Sequence, residues 1–476
     1  MKDQNLVNSC AFGVRIRARK KTMIAEMVEK QRAYFNSGAT WPLEERRKNL
    51  LRIKELLLQH QADFIAAFKA DFNKCEFDVL ATEFYLVIDE ADYQIKHLKK
   101  QCKPKKVRTS IFNFPSKGYL LQEPYGVCLI IAPWNYPLQL ALEPLMGCIA
   151  AGNTALLKPA SATANVAKVL KAIATDFGKP ELFDVILGSH QENADLLDQK
   201  YDYIFFTGGA STGKEILAKA AVHLTPCSLE LGGKSPCIID EDADVDLAAK
   251  RAVWGKYLNG GQTCVAPDYF YVHEAVHDAF IAAVKKYIQL YFYKDGKLSE
   301  DFPAIINDKQ LAKVTSFIDP GKVVVGGHVN GRFVEPTVLD HVSWDDKVMS
   351  DEIFGPIMPV LTFTNLEDLL KLINVKEKPL AFYYFSKNGK KAKHVMTISP
   401  FGGGCVNDTI MHLTNDNLPF GGVGRSGMGS YHGAASFKTF SHQKSVLVKG
   451  KAEINLKYPP YSEKKLHLFK KFTHLK

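Results

Sequence analysis

Val127-Cys128-Leu129-Ile130-Ile131-Ala132 is an unbroken apolar run, and its reading decides the fold. A strand with one face in water alternates apolar and polar residues. A run that is apolar throughout suits a parallel strand covered on both faces. Thr154-Ala155-Leu156-Leu157-Lys158 reads as a second such strand, followed by Phe183-Asp184-Val185-Ile186-Leu187 and Tyr203-Ile204-Phe205-Phe206-Thr207. Helical patterns separate them, near 138–150, 162–177, 191–199 and 211–222. This alternation predicts a doubly wound α/β sheet, which binds a nucleotide at the carboxyl edge of its strands.

From 231 a second alternating block begins, with strands expected at 235–240, 269–273, 322–325, 358–363 and 381–385 and helices near 244–258, 274–289, 308–317 and 365–373. Ahead of the first sheet, residues 24–100 read as helices: Leu50, Ile53, Leu57 and then Phe64, Phe68, Phe72 recur at helical spacing. Residues 102–126 change character, with Lys103-Pro104-Lys105 followed by short β-like runs. A glycine-rich run at 421–433 leads into Phe437-Lys438-Thr439-Phe440-Ser441.

A chain of 476 residues is too long for one core, so two or three domains are expected. Its 46% hydrophobic and 24% charged residues are ordinary for a soluble globular protein, and no apolar run is long enough to span a bilayer. Nine cysteines without a C-x-x-C pair suggest free thiols in a reducing compartment, and a cytoplasmic location is expected. The fourteen histidines form no H-E-x-x-H cluster, so no metal is expected. A net charge of +10 would suit nucleic acid, but much of it sits at the ends. Residues 1–22 hold six basic and one acidic residue, and 449–476 hold eight basic and two acidic. These are basic tails on a nearly neutral body, and no nucleic-acid partner is expected. The first tail is read as an unfolded extension or a weak targeting arm, with Met23 the favoured true start.

The chemistry lies on three turns. Gly260-Gly261-Gln262-Thr263-Cys264-Val265-Ala266-Pro267 places a thiol after two glycines and before a proline. A lone cysteine is more often a small buried hydrophobe. Here it has company: Glu230-Leu231-Gly232-Gly233-Lys234 offers a carboxylate before a glycine turn, and Pro133-Trp134-Asn135-Tyr136-Pro137 offers a side-chain amide. Nucleophile, base and oxyanion donor are the parts of acyl-transfer chemistry. A G-x-G-x-x-G fingerprint is absent after the first strand. Instead Thr207-Gly208-Gly209-Ala210-Ser211-Thr212-Gly213 follows the fourth strand and opens a helix, whose free N–H groups suit an anion.

These motifs, with Tyr34-Phe35-Asn36-Ser37-Gly38, Asn407-Asp408-Thr409 and Gly427-Met428-Gly429-Ser430-Tyr431-His432-Gly433, resemble the NAD(P)-dependent aldehyde dehydrogenase superfamily, in its class 3 branch for fatty and aromatic aldehydes. The resemblance runs from about Met23 to Leu447. It implies two Rossmann-like domains and a small β arm for oligomerisation. The cofactor domain would comprise 23–101 and 119–230, the catalytic domain 231–415, the arm 102–118 and 416–449, and the basic extensions 1–22 and 450–476. It implies NAD or NADP as cofactor, with Thr207, Gly208, Gly209 and Gly213 at the pyrophosphate, Lys158 on the adenosine ribose, Glu352 on the nicotinamide ribose, Phe354 near the ring, and Leu231 also in the cofactor site. Many NAD-using members carry a glutamate three residues after that lysine; Ser161 stands there and would admit the 2′-phosphate of NADP.

By the same resemblance Cys264 attacks the aldehyde, Asn135 and the Cys264 N–H hold the oxyanion, and Glu230 activates water on the thioester. Medium or long aliphatic, or aromatic, aldehydes would become acids, in a homodimer. Two alternatives differ in kind. A relative that passes the acyl group to coenzyme A usually lacks a carboxylate at Glu230. A silent structural protein has no reason to keep Cys264, Glu230 and Asn135 together. The second tail intersperses Leu466, Leu468, Phe469, Phe472 and Leu475 with lysines. The favoured reading is a helix packed on its own or the partner subunit over the substrate entrance; the other is weak contact with an anionic membrane surface.

Overall fold

Burial on both faces explains the apolar runs. Val127–Ile131 is buried along its whole length, as are Thr154–Lys158 and Tyr203–Thr207 beside it. They belong to a six-stranded sheet ordered Gly427–Met428, Cys227–Glu230, Tyr203–Thr207, Val127–Ile131, Thr154–Lys158, Phe183–Val185. Every pairing is parallel except that of Gly427–Met428 with Leu229 and Glu230. The chain steps outward from Val127–Ile131 and then returns to its other side at Tyr203–Thr207. That reversal opens a crevice at the carboxyl ends of the strands. This computed structural model describes residues 21–452 and 455–475. Most of the first basic tail lies outside the described residues. Lys21 and Thr22 open a helix over 21–36, so they are structured rather than part of an unfolded extension.

The helix Gln139–Ala151 runs through the core and every one of its residues is buried. A buried helix cannot leave its end groups to water, so side chains must satisfy them. The Glu83 carboxylate accepts the N–H groups of Leu138 (3.2 Å) and Gln139 (2.9 Å) at the start. At the end, the buried Arg46 guanidinium donates to the carbonyls of Ala150 (3.2 Å) and Ala151 (2.8 Å). An anion at the N-terminus and a cation at the C-terminus also match the helix dipole.

The second sheet has seven strands, ordered Val323–Val325, Thr337–Leu339, Ile357–Phe363, Tyr269–His273, Pro236–Ile239, Ala381–Phe385, Gly403–Val406. Only Val323–Val325 runs antiparallel to its neighbour. Gly403–Val406 and Cys227–Glu230 were not anticipated, because their glycines and polar residues break any apolar run.

A third sheet pairs Ser116–Pro124 over nine residues with Ser441–Lys449, and Lys105–Val107 on its other edge. This arm therefore extends to Pro124, past the boundary at 118 read from sequence. Conversely, Gly427–Met428 leaves the arm for the cofactor sheet. Gly427 has φ +145°, and a Cβ there would lie 2.2 Å from the Leu229 carbonyl oxygen, so glycine permits the approach.

The tail forms a helix, Glu463–Thr473, whose N-cap Ser462 hydroxyl accepts the Lys465 N–H. Phe469 meets Phe112 of the arm with ring centroids 5.7 Å apart. No helix among the described residues is long and apolar enough to cross a membrane.

Candidate active site

Asn135, Lys158, Thr207 and Glu230 all lie at or just beyond the carboxyl ends of four adjacent strands of the first sheet. The second sheet contributes from the opposite polarity. Cys264 precedes Tyr269–His273, and Glu352 and Phe354 precede Ile357–Phe363. The site is thus built where the carboxyl edge of one sheet faces loops at the amino edge of the other.

The thiol loop is held in a conformation that needs its glycines. Asn259, Gly260 and Gly261 have φ of +54°, +63° and +73° in succession. A Cβ on Gly261 would lie 2.3 Å from the Gly355 carbonyl oxygen. The turn that follows is tied by Ala266 N–H to Thr263 O (3.0 Å) and by the Tyr383 hydroxyl to Val265 O (2.6 Å). Cys264 emerges half-buried, with its own N–H and that of Val265 directed at the sulfur. Burial pushes the thiol up to about 12, and the carboxylates of Glu352 and Glu230 add to the effect. The resting site therefore holds a thiol, and an added positive charge is what it lacks.

Cys264 and Glu230 line one cavity of about 390 Å³. Both Glu230 carboxylate oxygens are buried without a hydrogen-bond partner, and burial raises this carboxyl well above the ordinary range. A buried, unpartnered carboxyl is costly, and such groups are commonly found where chemistry requires a base. The rest of the wall is mostly apolar, including Leu140, Trp254, Val265 and Phe420, with Tyr85 and Met411 partly exposed to solvent. No described residue of the tail lines this cavity, and in its own chain the tail helix packs on the arm and not over the entrance.

Asn135 joins the thiol loop from the other side. Its amide donates to Gln262 O (3.1 Å), and the Asn259 amide donates back to Asn135 O (2.9 Å). One of its two N–H groups remains for a further acceptor. Next to it, the Tyr136 hydroxyl meets the Thr263 hydroxyl at 2.6 Å. Neither Tyr136 nor Thr263 was singled out from sequence. Their flanking motifs were, and adjacency to those motifs was the available signal.

The candidate cofactor residues lie along the same crevice. Thr207 is in register with Glu230, and its buried hydroxyl oxygen has no partner. Gly209 is the N-cap of the helix Ala210–Ala221, with no side chain capping it and no atom within 4 Å of where a Cβ would stand. That leaves an open set of N–H groups suited to a phosphate. Gly208 and Gly213 are close-packed: a Cβ would lie 2.5 Å from the Phe206 ring and 2.9 Å from the Leu231 side chain. Lys158 is buried, donates to Pro159 O (2.8 Å) and Gly188 O (3.0 Å), and is brought down to about 8 by burial. Ser161 is exposed and opens a short turn, Ser161–Thr163; the helix after it, Ala164–Phe177, has Thr163 and not Ser161 at its N-cap.

Glu352 lies against Gly232, where a Cβ would be 2.2 Å from its carboxylate. Burial, with Asp268 adding, raises it to about 8, against the Gly233 N–H hydrogen bond. Its loop is fixed by Asp268, which accepts the Ile353 N–H (2.8 Å) and pairs with Lys234 (2.5 Å). Lys234 is accordingly structural. Phe354 has φ +53° and sets its ring edge-on to Trp134 at 5.3 Å. The glycine cradle, the open helix N-terminus and the unpartnered Thr207 hydroxyl fit a dinucleotide.

A sequence model of the aldehyde dehydrogenase family matches residues 12–446, a span that starts upstream of Met23. The chain is 42% identical to the 4,4′-diaponeurosporen-aldehyde dehydrogenase of Staphylococcus aureus, over 91% of this chain and 95% of that one. It is 41% identical to aldehyde dehydrogenase family 3 member A2 of Rattus norvegicus, over 94% and 93% of the two chains. It is 40% identical to a dimeric NADP-preferring aldehyde dehydrogenase of Canis lupus familiaris, over 92% and 98%. Among solved structures, a substrate-bound Staphylococcus aureus AldH superposes with a TM-score of 0.91 at 41% identity, covering 94% of this chain and 99% of the other.

Proposed function

The chain belongs to the aldehyde dehydrogenase family, which oxidises aldehydes to acids with NAD or NADP, and on that premise we propose that Cys264 is the nucleophile, Glu230 the base and Asn135 the oxyanion donor. The observation that carries this is a single cavity lined by both Cys264 and the buried, unpartnered Glu230 carboxylate.

The Cys264 sulfur, once deprotonated, bonds to the aldehyde carbon. The oxygen becomes an alkoxide that accepts hydrogen bonds from the Asn135 amide and the Cys264 N–H. Donors of this kind are worth a few kcal/mol each. A nicotinamide held there would supply a positive charge beside the sulfur and take up the hydride, and Cys264 would keep the acyl group as a thioester. Glu230 then takes a proton from water as the water oxygen adds to the thioester carbon, and the thiolate leaves. Thr207, Gly208, Gly209 and Gly213 would hold the pyrophosphate, Lys158 and Ser161 the adenosine ribose, Glu352, Phe354 and Leu231 the nicotinamide half.

The apolar wall supports medium or long aliphatic, or aromatic, aldehydes as substrates. Ser161, exposed and uncharged, supports use of NADP as well as NAD. Ser441–Lys449 is an edge strand with Leu447 and Val448 about half exposed, which supports a homodimer formed through the arm. The exposed Phe472 and Leu475 beside lysines support a weak contact of the tail with an anionic membrane surface. Eight free cysteines among the described residues fit a cytoplasmic setting. The test is incubation with an aldehyde panel and NAD⁺ or NADP⁺, with and without coenzyme A. Reduced cofactor and free acid, independent of coenzyme A, are expected; acyl-coenzyme A as product, or no reduction with any aldehyde, would overturn the assignment.

A further inference from the structure

Lys74 and Glu83 form an ion pair at 2.9 Å, and both side chains are wholly buried. A buried pair is a poor source of stability, because desolvating two charges offsets their attraction. Its surroundings suggest another use. Glu83 sits in a short π-helical turn, Leu80–Phe84, a local irregularity often found at functional sites. Its neighbours Ala81, Thr82 and Tyr85 line the cavity. One carboxylate oxygen accepts from Lys74, and the other accepts the Leu138 and Gln139 N–H groups, directly after Asn135-Tyr136-Pro137. The Lys74 ammonium lies under the Tyr136 ring, 4.3 Å from its centre. The Tyr136 hydroxyl reaches Thr263, the residue before Cys264.

We infer that Lys74 and Glu83 are positioning residues that hold the Asn135–Tyr136 turn against the Cys264 loop and so set the oxyanion donor. This rests on the roles proposed above for Cys264 and Asn135. Each contact in the relay is fixed. Glu83 anchors the backbone after the turn, Lys74 neutralises Glu83 and orients the phenol, and the phenol ties to Thr263. Residues that preorganise a donor act on steps that build negative charge on the carbonyl oxygen, and on no others.

Two reactions of Cys264 separate these cases without any cofactor. A p-nitrophenyl ester acylates the thiol: the sulfur–carbon bond forms, the bond to nitrophenolate breaks, and the thiol proton is lost. That path passes through an oxyanion. Alkylation by iodoacetamide displaces iodide at a saturated carbon and does not. The variants are Lys74→Met with Glu83→Gln, which removes both charges but keeps an acceptor for the helix N–H groups, and Tyr136→Phe, which removes only the hydroxyl. Each should slow the nitrophenolate burst by roughly 10- to 100-fold, with alkylation at the same pH nearly unchanged. A wild-type burst rate in either variant, or acylation and alkylation falling together, overturns the inference. A wild-type enzyme with no burst, or a burst that survives Cys264→Ala, would instead overturn the reading of Cys264 itself.

Discussion

Replacing Glu230 with glutamine should separate the two halves of the reaction. The side chain keeps its size, and since neither carboxylate oxygen has a hydrogen-bond partner, no network is broken. In the proposed mechanism, formation of the thioester uses the Asn135 amide and the Cys264 N–H, which the substitution leaves in place. Hydrolysis in that mechanism uses the Glu230 carboxylate as base, a role typically worth about 10²- to 10⁴-fold, or about 2.7–5.5 kcal/mol of barrier. Burial raises the carboxyl well above its ordinary range, so the ionised form is a stronger base but is reached only as the pH rises. Stopped-flow with excess aldehyde and NAD(P)⁺ should then show one equivalent of reduced cofactor at close to the wild-type rate, followed by turnover slowed about 10³-fold. The wild-type slow step should quicken with rising pH as Glu230 ionises, and the variant should not. The sign for stability is the reverse of a paired carboxylate. A raised folded pKa means that ionisation above about pH 4.3, the ordinary value, costs the native state. Glutamine removes that cost, so at pH 8 the variant should melt no lower than wild type. Equal loss in burst and steady state would show that Glu230 acts before hydrolysis, and a clearly lower melting temperature would show that its carboxylate has a stabilising partner.

Cys264→Ala should abolish aldehyde oxidation while cofactor binding, followed by fluorescence titration, is unchanged. In the apoenzyme, the thiol pushed up to about 12 should react with iodoacetamide about tenfold faster per pH unit from pH 7 to 10, and a plateau below pH 9 would contradict that environment. Ser161→Glu should lower kcat/KM for NADP⁺ at least about tenfold by like-charge repulsion and leave NAD⁺ largely unaffected; a wild-type enzyme inactive with NADP⁺ would remove the basis for this. Gly261→Ala should lower the thermal midpoint, because a positive φ costs an L-residue about 1–2 kcal/mol and the Cβ would lie 2.3 Å from Gly355 O.

What could be read from sequence follows from how locally each feature is encoded. Val127–Ile131 announced itself because a strand buried on both faces must be apolar at every position. Cys227–Glu230 did not, although Ser228, Leu229 and Glu230 are as deeply buried, because Ser228 is satisfied by the distant Tyr203 hydroxyl and Glu230 lines the cavity, so the run is not apolar. The turn before Cys264 was legible for a backbone reason, since only glycine readily takes the φ values found there. Lys158 and Glu352 were reached only through resemblance; Lys158 bonds to Gly188 O and Glu352 lies against Gly232, and no spacing rule links them. Lys74 and Glu83 were missed altogether. In a helical stretch rich in charge they look like a solvated face, and only the folded chain shows them enclosed by Phe68, Phe72 and Tyr136.

In the proposed mechanism Cys264 carries the acyl group and Glu230 releases it. The Glu230→Gln enzyme, mixed with a medium-chain aldehyde and NAD(P)⁺ and quenched in acid, can be examined by intact mass and peptide mapping. One acyl group per chain is expected, two hydrogens lighter than the aldehyde added, located on the peptide that contains Cys264. An unmodified chain after the burst, or an acyl group on any other residue, would contradict it.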